Sequence, residues 1–163
     1  MLARTGIATK EMFEGRLPSQ ERRRKGPYVV MECYEEIPCN PCVTSCPFGA
    51  VKMGNINELP DCDADKCSAC GRCVSCCPGL ACFVIDETVG SGKVKITFPQ
   101  EMLPLPKAGD TVYALGRDGS VVGQAEVVKV NSGKNLDRTN VITVLVDENL
   151  LYDVRSIQCK QEG

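Results

Sequence analysis

Four closely spaced cysteines are the residues of this chain best suited to chemistry. They form the run C-x2-C-x2-C-x3-C-P, made of Cys67, Cys70, Cys73, Cys77 and Pro78. Three thiolates at this spacing can wrap one corner of a cuboidal iron–sulfur cluster, and the fourth is directed towards a second site. The alternative is a structural zinc knuckle, which usually needs two separated pairs of ligands. The run therefore predicts iron–sulfur ligation.

A second run of the same type lies 31 residues upstream. Its members Cys39, Cys42, Cys46 and Pro47 correspond in order to Cys70, Cys73, Cys77 and Pro78. A repeat in a single register indicates a duplicated cluster-binding half. In such repeats the fourth cysteine of each run ligates the cluster held by the other run. We therefore expect two [4Fe–4S] clusters that exchange ligands between the two runs.

This exchange predicts two ligand sets. Cluster one takes Cys39, Cys42 and Cys77, and cluster two takes Cys46, Cys67, Cys70 and Cys73. Cluster one lacks a fourth thiol at the expected position, where the sequence has Glu36. Cys33 is the predicted fourth ligand, because thiolates suit iron–sulfur sites better than carboxylates do. Ligation by Glu36 and a three-iron cluster are the alternatives.

The remaining composition limits the chemistry further. The chain contains no histidine, which excludes Rieske-type ligation, Cys/His zinc sites and Ser-His or Cys-His catalysis. Iron held by four protein thiolates leaves no open position for a substrate, so we expect a relay of single electrons and not an enzyme. The other four cysteines are predicted to be small buried hydrophobic residues. They are Cys62, Cys76, Cys82 and Cys159.

Charge and hydropathy point to a cytoplasmic protein. The 163 residues carry a net charge of −2, so no global basic field favours nucleic acid. No apolar run approaches the length that spans a bilayer, and the N-terminus has no apolar core of a signal peptide. Clustered thiols without such a signal also disfavour a secreted disulfide scaffold.

The elements before residue 91 fall into two predicted parts. Residues 1–27 are polar and broken by glycine and proline, which predicts an extended basic N-terminal arm. Its basic run, Glu21–Lys25, is either a solvated patch or a segment that lies on an acidic partner. Residues 28–90 are predicted to form a small two-cluster domain. In it, a strand at Tyr28–Glu32 pairs with a closing strand at Phe83–Asp86.

The composition changes after Gly90–Gly92, which we interpret as a linker. Residues 91–163 contain five strand-like segments, and Gly123 indicates a bulge or a barrel bend in the longest of them. The segments are Val94–Phe98, Thr111–Leu115, Val121–Val130, Val141–Asp147 and Leu151–Ile157. They predict a small antiparallel barrel that serves in docking. The predicted fold class is thus α+β, with a small ferredoxin-like two-cluster domain followed by a small antiparallel β-barrel.

Two family resemblances follow from these motifs. Residues 28–88 resemble a bacterial two-cluster ferredoxin. The longer string Glu32–Cys42, preceded by Leu17–Arg22 and Lys25–Pro27, resembles the small iron–sulfur subunit of FAD-dependent amino-acid dehydrogenases of anaerobic bacteria. These are enzymes of the proline and hydroxyproline dehydrogenase type.

The resemblance implies an electron-transfer subunit in a hetero-oligomeric complex with FAD-dependent oxidoreductase subunits. Its clusters would relay electrons between a flavin and a redox partner. A soluble electron acceptor is one candidate for that partner. FAD is expected in the partner subunits only, with FMN or a [2Fe–2S] cluster as further candidates there. The alternatives are a free-standing ferredoxin that serves several enzymes and a redox-sensing nucleic-acid-binding protein. The second is disfavoured because the barrel segment has too few aromatic residues for base stacking.

Overall fold

The computed structural model describes residues 2–136 and 138–160. In these residues, strands β1 to β9 are Tyr28–Met31, Val51–Lys52, Asp61–Cys62, Cys82–Gly90, Lys93–Gln100, Thr111–Leu115, Val121–Asn131, Asn140–Asp147 and Ser156–Gln158. Helices α1 to α5 are Leu2–Thr5, Lys10–Glu14, Gln20–Arg23, Pro41–Thr44 and Arg72–Cys76. Short 3-10 helices span Lys134–Leu136 and Glu148–Leu150. None of the described helices has the length and apolar composition needed to cross a membrane.

One antiparallel sheet runs through most of the chain. Its seven strands have the order β1–β4–β5–β8–β7–β6–β9, so that both β1 and β9 are edge strands. Strand β1 pairs with β4 as the sequence predicts, with Tyr28 opposite Ile85 and Met31 opposite Cys82. The two-residue strands β2 and β3 form a separate small ribbon. The thiol-bearing loops are therefore attached to the β1–β4 end of a larger sheet.

The predicted fold class is wrong. The described residues form mostly antiparallel sheet with a few short helices, without a closed barrel and without a separate α+β ferredoxin-like fold. The error comes from Gly90–Gly92. Ser91 and Gly92 both have positive φ, as a two-residue type I′ hairpin turn requires, and Gly90 pairs with Lys93 across it. The glycines thus connect β4 to β5 in one sheet. The division at residues 1–27, 28–90 and 91–163 stays a prediction.

Several of the individual strand predictions agree with the structure, although the predicted fold class does not. Strand β6 has the predicted limits, and the bulge predicted at Gly123 is confirmed: Ala114 pairs with Gly123 and Leu115 with Val121, which leaves Val122 unpaired. The last predicted strand shortens to β9, because Leu151 continues the turn that follows the second 3-10 helix.

The core of the sheet follows the alternation of each strand. On β8, Ile142, Val144 and Val146 face one side and are at most 1% exposed, while the residues between them are half-buried. They pack with the buried faces of β5, β6 and β7 in one apolar cluster that also includes Phe83. This cluster gives the sheet a hydrophobic core of its own.

The N-terminal arm is helical rather than extended and folds onto the same chain. Thr9 and Ser19 cap α2 and α3 by accepting hydrogen bonds from Met12 N and Arg22 N. Phe13 on α2 is 2% exposed and packs with Tyr28 and other side chains of the β1–β4 pair. Arm residues therefore cover one face of the strand that leads into the first thiol run.

Candidate metal centre

The two thiol runs have similar local structures. In the first, α4 begins at Pro41, whose missing N–H is not needed at the first helical position. In the second, α5 follows Gly71, which has a φ of 77° that favours glycine. Each short helix carries one cysteine at the equivalent position of the repeat, Cys42 in the first run and Cys73 in the second. Cys42 and Cys73 are each 8% exposed.

Backbone amides point at sulfur in both runs. Ala50 N lies 3.3 Å from Cys46 Sγ, and Ala81 N lies 3.4 Å from Cys77 Sγ. The two alanines occupy equivalent positions in the repeat, four residues after the cysteine. Amide donors stabilise a thiolate and hold its lone pairs in a fixed direction. The fourth cysteine of each run therefore has the same hydrogen-bonded environment.

The four thiols predicted for cluster two line one pocket. They are Cys46, Cys67, Cys70 and Cys73, and apolar walls come from Val29, Phe48 and Val51. A hydrogen bond with the Cys62 thiol is the main cause that lowers the pKa of Cys67 to about 6. Burial opposes ionisation of Cys46, but the surrounding backbone amides outweigh it and lower its pKa. The structure thus brings Cys46 of the first run to the thiols of the second run.

The thiols predicted for cluster one lie around Cys77. Burial raises the pKa of Cys33, and negative charge on the neighbouring Cys77 and Cys39 raises it further. Burial, with the Cys77 thiolate next in size, also raises the pKa of Cys42 to about 11. Cys77 itself has a pKa lowered to about 6, mainly by a hydrogen bond with the Cys82 thiol. The alternative ligand Glu36 is exposed.

This grouping follows the crossed ligand sets, although the assignment of each ligand stays a prediction. Thiolates that disfavour one another's ionisation need nearby positive charge, which iron supplies. All twelve cysteines are free thiols, so sulfur donors are available at every predicted position. In residues 2–136 and 138–160, no three Cys, Asp or Glu side chains converge as ligands of a single metal ion would. The donor set fits iron–sulfur clusters in its chemistry.

Two cysteines have positions that the sequence did not indicate. Cys82, interpreted as a buried hydrophobic residue, is 3% exposed, and interaction with the neighbouring Cys73 and Cys77 thiols is the main cause that raises its pKa. It thereby lies between a predicted ligand of cluster two and one of cluster one. Cys62 lies beside Cys67, among thiols predicted for cluster two only. Only the pairing of β1 with β4 could have indicated that Cys82 faces the thiol loops.

The other two extra cysteines differ in their positions relative to the predicted ligands, because Cys76 is next to Cys77 whereas Cys159 lies far from both runs in the sequence. Cys76 Sγ lies 2.9 Å from Ser45 Oγ, which connects α5 to the end of α4. Cys159 Sγ donates to the carbonyl of Pro104 at 3.2 Å, on the part of the sheet near β9. Cys159 is therefore the thiol best placed to serve as a control.

Comparison with known proteins gives short matches. No family model and no solved structure matches the chain. It is 46% identical over 46 residues to the B component of the Na(+)-translocating ferredoxin:NAD(+) oxidoreductase complex of Acetobacterium woodii, covering 28% of this chain and 14% of that one. It is 43% identical over 45 residues to the B component of the ion-translocating oxidoreductase complex of Methanosarcina acetivorans, covering 28% and 16%.

A third relative is the beta component of the dissimilatory-type sulfite reductase of Archaeoglobus fulgidus, 42% identical over 48 residues. That match covers 29% of this chain and 13% of the relative. The chain thus spans between 13% and 16% of the length of these three relatives. Together with the thiol runs, the similarities support a role in iron–sulfur electron transfer in general.

Proposed function

We propose that this chain is an electron-transfer subunit that carries two [4Fe–4S] clusters. It relays single electrons between the flavin of a FAD-dependent oxidoreductase and a redox partner. One observation carries the proposal: Cys46 of the first run lines one pocket with Cys67, Cys70 and Cys73 of the second run, while Cys77 of the second run neighbours Cys33 and Cys42. A crossed arrangement of this kind is what two-cluster ligation needs.

In this proposal each ligand has a defined place. Cys33, Cys39, Cys42 and Cys77 hold cluster one, and Cys46, Cys67, Cys70 and Cys73 hold cluster two. When bound, a cluster of this type accepts and gives up one electron. The amides of Ala50 and Ala81 stabilise negative charge on the ligand sulfurs of Cys46 and Cys77. Val74 is 0% exposed and packs in one apolar cluster with Cys42 and Cys73.

A role as a subunit is supported by the names of two matched relatives, which are subunits of oxidoreductase complexes. The narrower proposal is an amino-acid dehydrogenase of the proline or hydroxyproline type, and it depends on the resemblance of Glu32–Cys42. In that case FAD, with FMN or a [2Fe–2S] cluster as further cofactors, belongs to the partner subunits. The complex would reside in the cytoplasm.

Iron and sulfide analysis of the anaerobically purified chain tests the two clusters. We expect about eight iron and eight sulfide per chain, as two [4Fe–4S] clusters require. Cys33→Ser and Cys77→Ser should each reduce the content to about half, because each removes one ligand of cluster one. Cys159→Ser is the matched control and should keep the full content, since its sulfur donates a hydrogen bond to Pro104 O and Cys159 is not a predicted ligand. Full iron content in Cys77→Ser would contradict the ligand sets.

Isolation of the protein with its partners from its native host tests the role as a subunit. We expect it to copurify with a flavoprotein whose bound flavin reduces the clusters when substrate is added. A fully active, free 17.7 kDa monomer would instead favour a free-standing ferredoxin.

A further inference from the structure

A buried ion triad lies directly beside the predicted fourth ligand of cluster one. The carboxylate of Glu32, which precedes Cys33, accepts hydrogen bonds from Arg117 and Arg155. Glu32 Oε1 lies 3.0 Å from Arg117 Nη2 and 2.6 Å from Arg155 Nε, and Arg117 Nη1 also donates to Oε2. The side chains of Glu32, Arg117 and Arg155 are 5%, 10% and 8% exposed. Two guanidinium groups against one carboxylate leave one net positive charge away from water.

Aromatic rings surround this charge. The guanidinium carbon of Arg155 lies 5.0 Å from the ring centres of both Phe13 and Phe83, and that of Arg117 lies 4.5 Å from the ring centre of Tyr152. Arg155 Nη2 is buried and has no hydrogen-bond partner among the described residues. Because little water or salt reaches the triad, its field extends farther than the field of a surface charge.

A third guanidinium group contacts Cys33 itself. Arg16 Nη2 donates to the carbonyl of Cys33 at 2.7 Å, and Arg16 also lies over the ring of Tyr34. The acidic residues that follow, Glu35 and Glu36, are exposed, so solvent screens their charge. The surroundings of Cys33 are therefore positive on balance.

Cluster two has different surroundings. Arg22 Nη2 lies 3.4 Å from the carbonyl of Cys67 and Arg72 lines the same pocket as the four thiols, but Asp63, Asp65 and Lys66 lie within four residues of Cys67. Lys66 Nζ and Asp63 Oδ2 are 3.5 Å apart, and these side chains are 56% and 35% exposed. Charges of both signs in contact with water add little net field.

We infer that the ion triad holds the reduction potential of cluster one above that of cluster two. A reduced cluster is more negative than an oxidised one, so buried positive charge favours its reduction. The inference rests on the proposed function, which supplies the two clusters. Arg117 and Arg155 act on cluster one through their field and through the position of Cys33, and an electron shared between the clusters resides mostly on cluster one.

An anaerobic redox titration of the full chain, followed by electron paramagnetic resonance, tests this inference. We expect two separate potentials in the wild type. Arg117→Gln should lower only the more positive one, by about tenfold in the reduction equilibrium, or about 59 mV for one electron. Arg117→Lys keeps the positive charge, so its more positive potential should stay close to the wild-type value. Lys93→Gln removes an exposed cation, whose Nζ lies 2.6 Å from Asp147 Oδ1, and should shift neither potential.

Further variants assign each potential to a cluster and distinguish failure of this inference from failure of the proposed function. Cys39→Ser should abolish the more positive signal, which assigns it to cluster one. Where Arg117→Gln does not fold, Arg16→Gln should give a smaller negative shift of the same signal. Two clusters whose potentials both stay unchanged, or shift equally, in these variants would overturn the inference and leave the proposed function intact. A chain without two clusters would overturn the proposed function itself.

Discussion

Residues 32–81 and residues 82–158 are held together in different ways. The later region has long strands and an apolar core in which Ile96, Phe98 and Ile142 are 0% exposed. The earlier region has two strands of two residues each, and its buried side chains include Cys42 and Cys73. Burial of apolar surface stabilises residues 82–158, whereas the stability of residues 32–81 depends on what the thiols of that region bind.

The difference shows what the sheet contributes to the candidate site. Cys33 follows the β1 strand within two residues, and Cys82 begins β4 directly opposite Met31. The thiol loops therefore start and end on paired strands whose positions the sheet core fixes. A rigid edge with ligand-dependent loops holds a site more precisely than loops alone could.

Removal of the clusters should give the largest contrast between the two regions. After anaerobic chelation, we expect amides in residues 32–81 to exchange hydrogen at least ~100-fold faster, because ligation supplies much of that region's folding free energy. Amides of β5 and β8 in the same sample are the internal control and should keep their protection. Hydrogen exchange followed by mass spectrometry measures both. Loss of protection in β8 as well would show that the sheet also depends on the clusters.

A cavity in the sheet core should destabilise the sheet and leave the thiol loops able to bind their clusters. Ile142→Ala at the centre of β8 should lower the free energy of unfolding by about 3 kcal/mol, since Ile142 is 0% exposed. Iron content per folded chain should stay unchanged. Val121→Ala is the matched control, because Val121 is 55% exposed and its loss should cost less than about 0.5 kcal/mol. Urea titration with iron analysis checks both, and iron loss in Ile142→Ala would contradict the independence of the two regions.

Local patterns in the sequence predicted elements better than architecture. Alternation predicted β6 at Thr111–Leu115, and β-propensity predicted the first strand, which pairs as expected with the strand that follows the second thiol run. The glycines at 90 and 92 could be interpreted either as a linker or as a hairpin turn, because both need positive φ or flexibility. The pairing of β4 with β5 directly across these glycines decides for the hairpin turn, and the pairing of β5 with the distant strand β8 continues the sheet.

The candidate site shows the same limit. Spacing indicates which cysteines can bind, because ligands within one run are neighbours in sequence. The ion triad could not be predicted, since Glu32 pairs with residues 85 and 123 positions away. The role of Cys82 depends on strand register and not on spacing. The ligand sets themselves stay a prediction that the variants at Cys33 and Cys77 address.

A smaller effect is expected where the N-terminal arm meets the sheet. Arg23 Nε and Nη2 donate to the Glu87 carboxylate at 2.6 and 2.8 Å, and Tyr28 Oη also donates to it. Glu87→Gln should lower the free energy of unfolding by about 1.5 kcal/mol, because hydrogen bonds to a charged acceptor are lost. Lys25→Gln, which breaks an exposed ion pair with Glu21, is the control and should change stability little. Equal effects of the two changes would contradict a specific role for Glu87.

The smallest effect tests whether the arm stabilises the site that it covers. Thr9 Oγ1 accepts a hydrogen bond from Met12 N at 3.3 Å, and the helix it caps carries Phe13 against the guanidinium groups of Arg117 and Arg155. Thr9→Ala should cost about 1 kcal/mol in urea titration, whereas Thr9→Ser keeps the capping oxygen and should cost much less. Iron content should be unchanged in both, because the arm contributes no thiol. If Thr9→Ala released iron, the arm would be part of what holds the thiol loops, and the contrast between the two regions would have to include it.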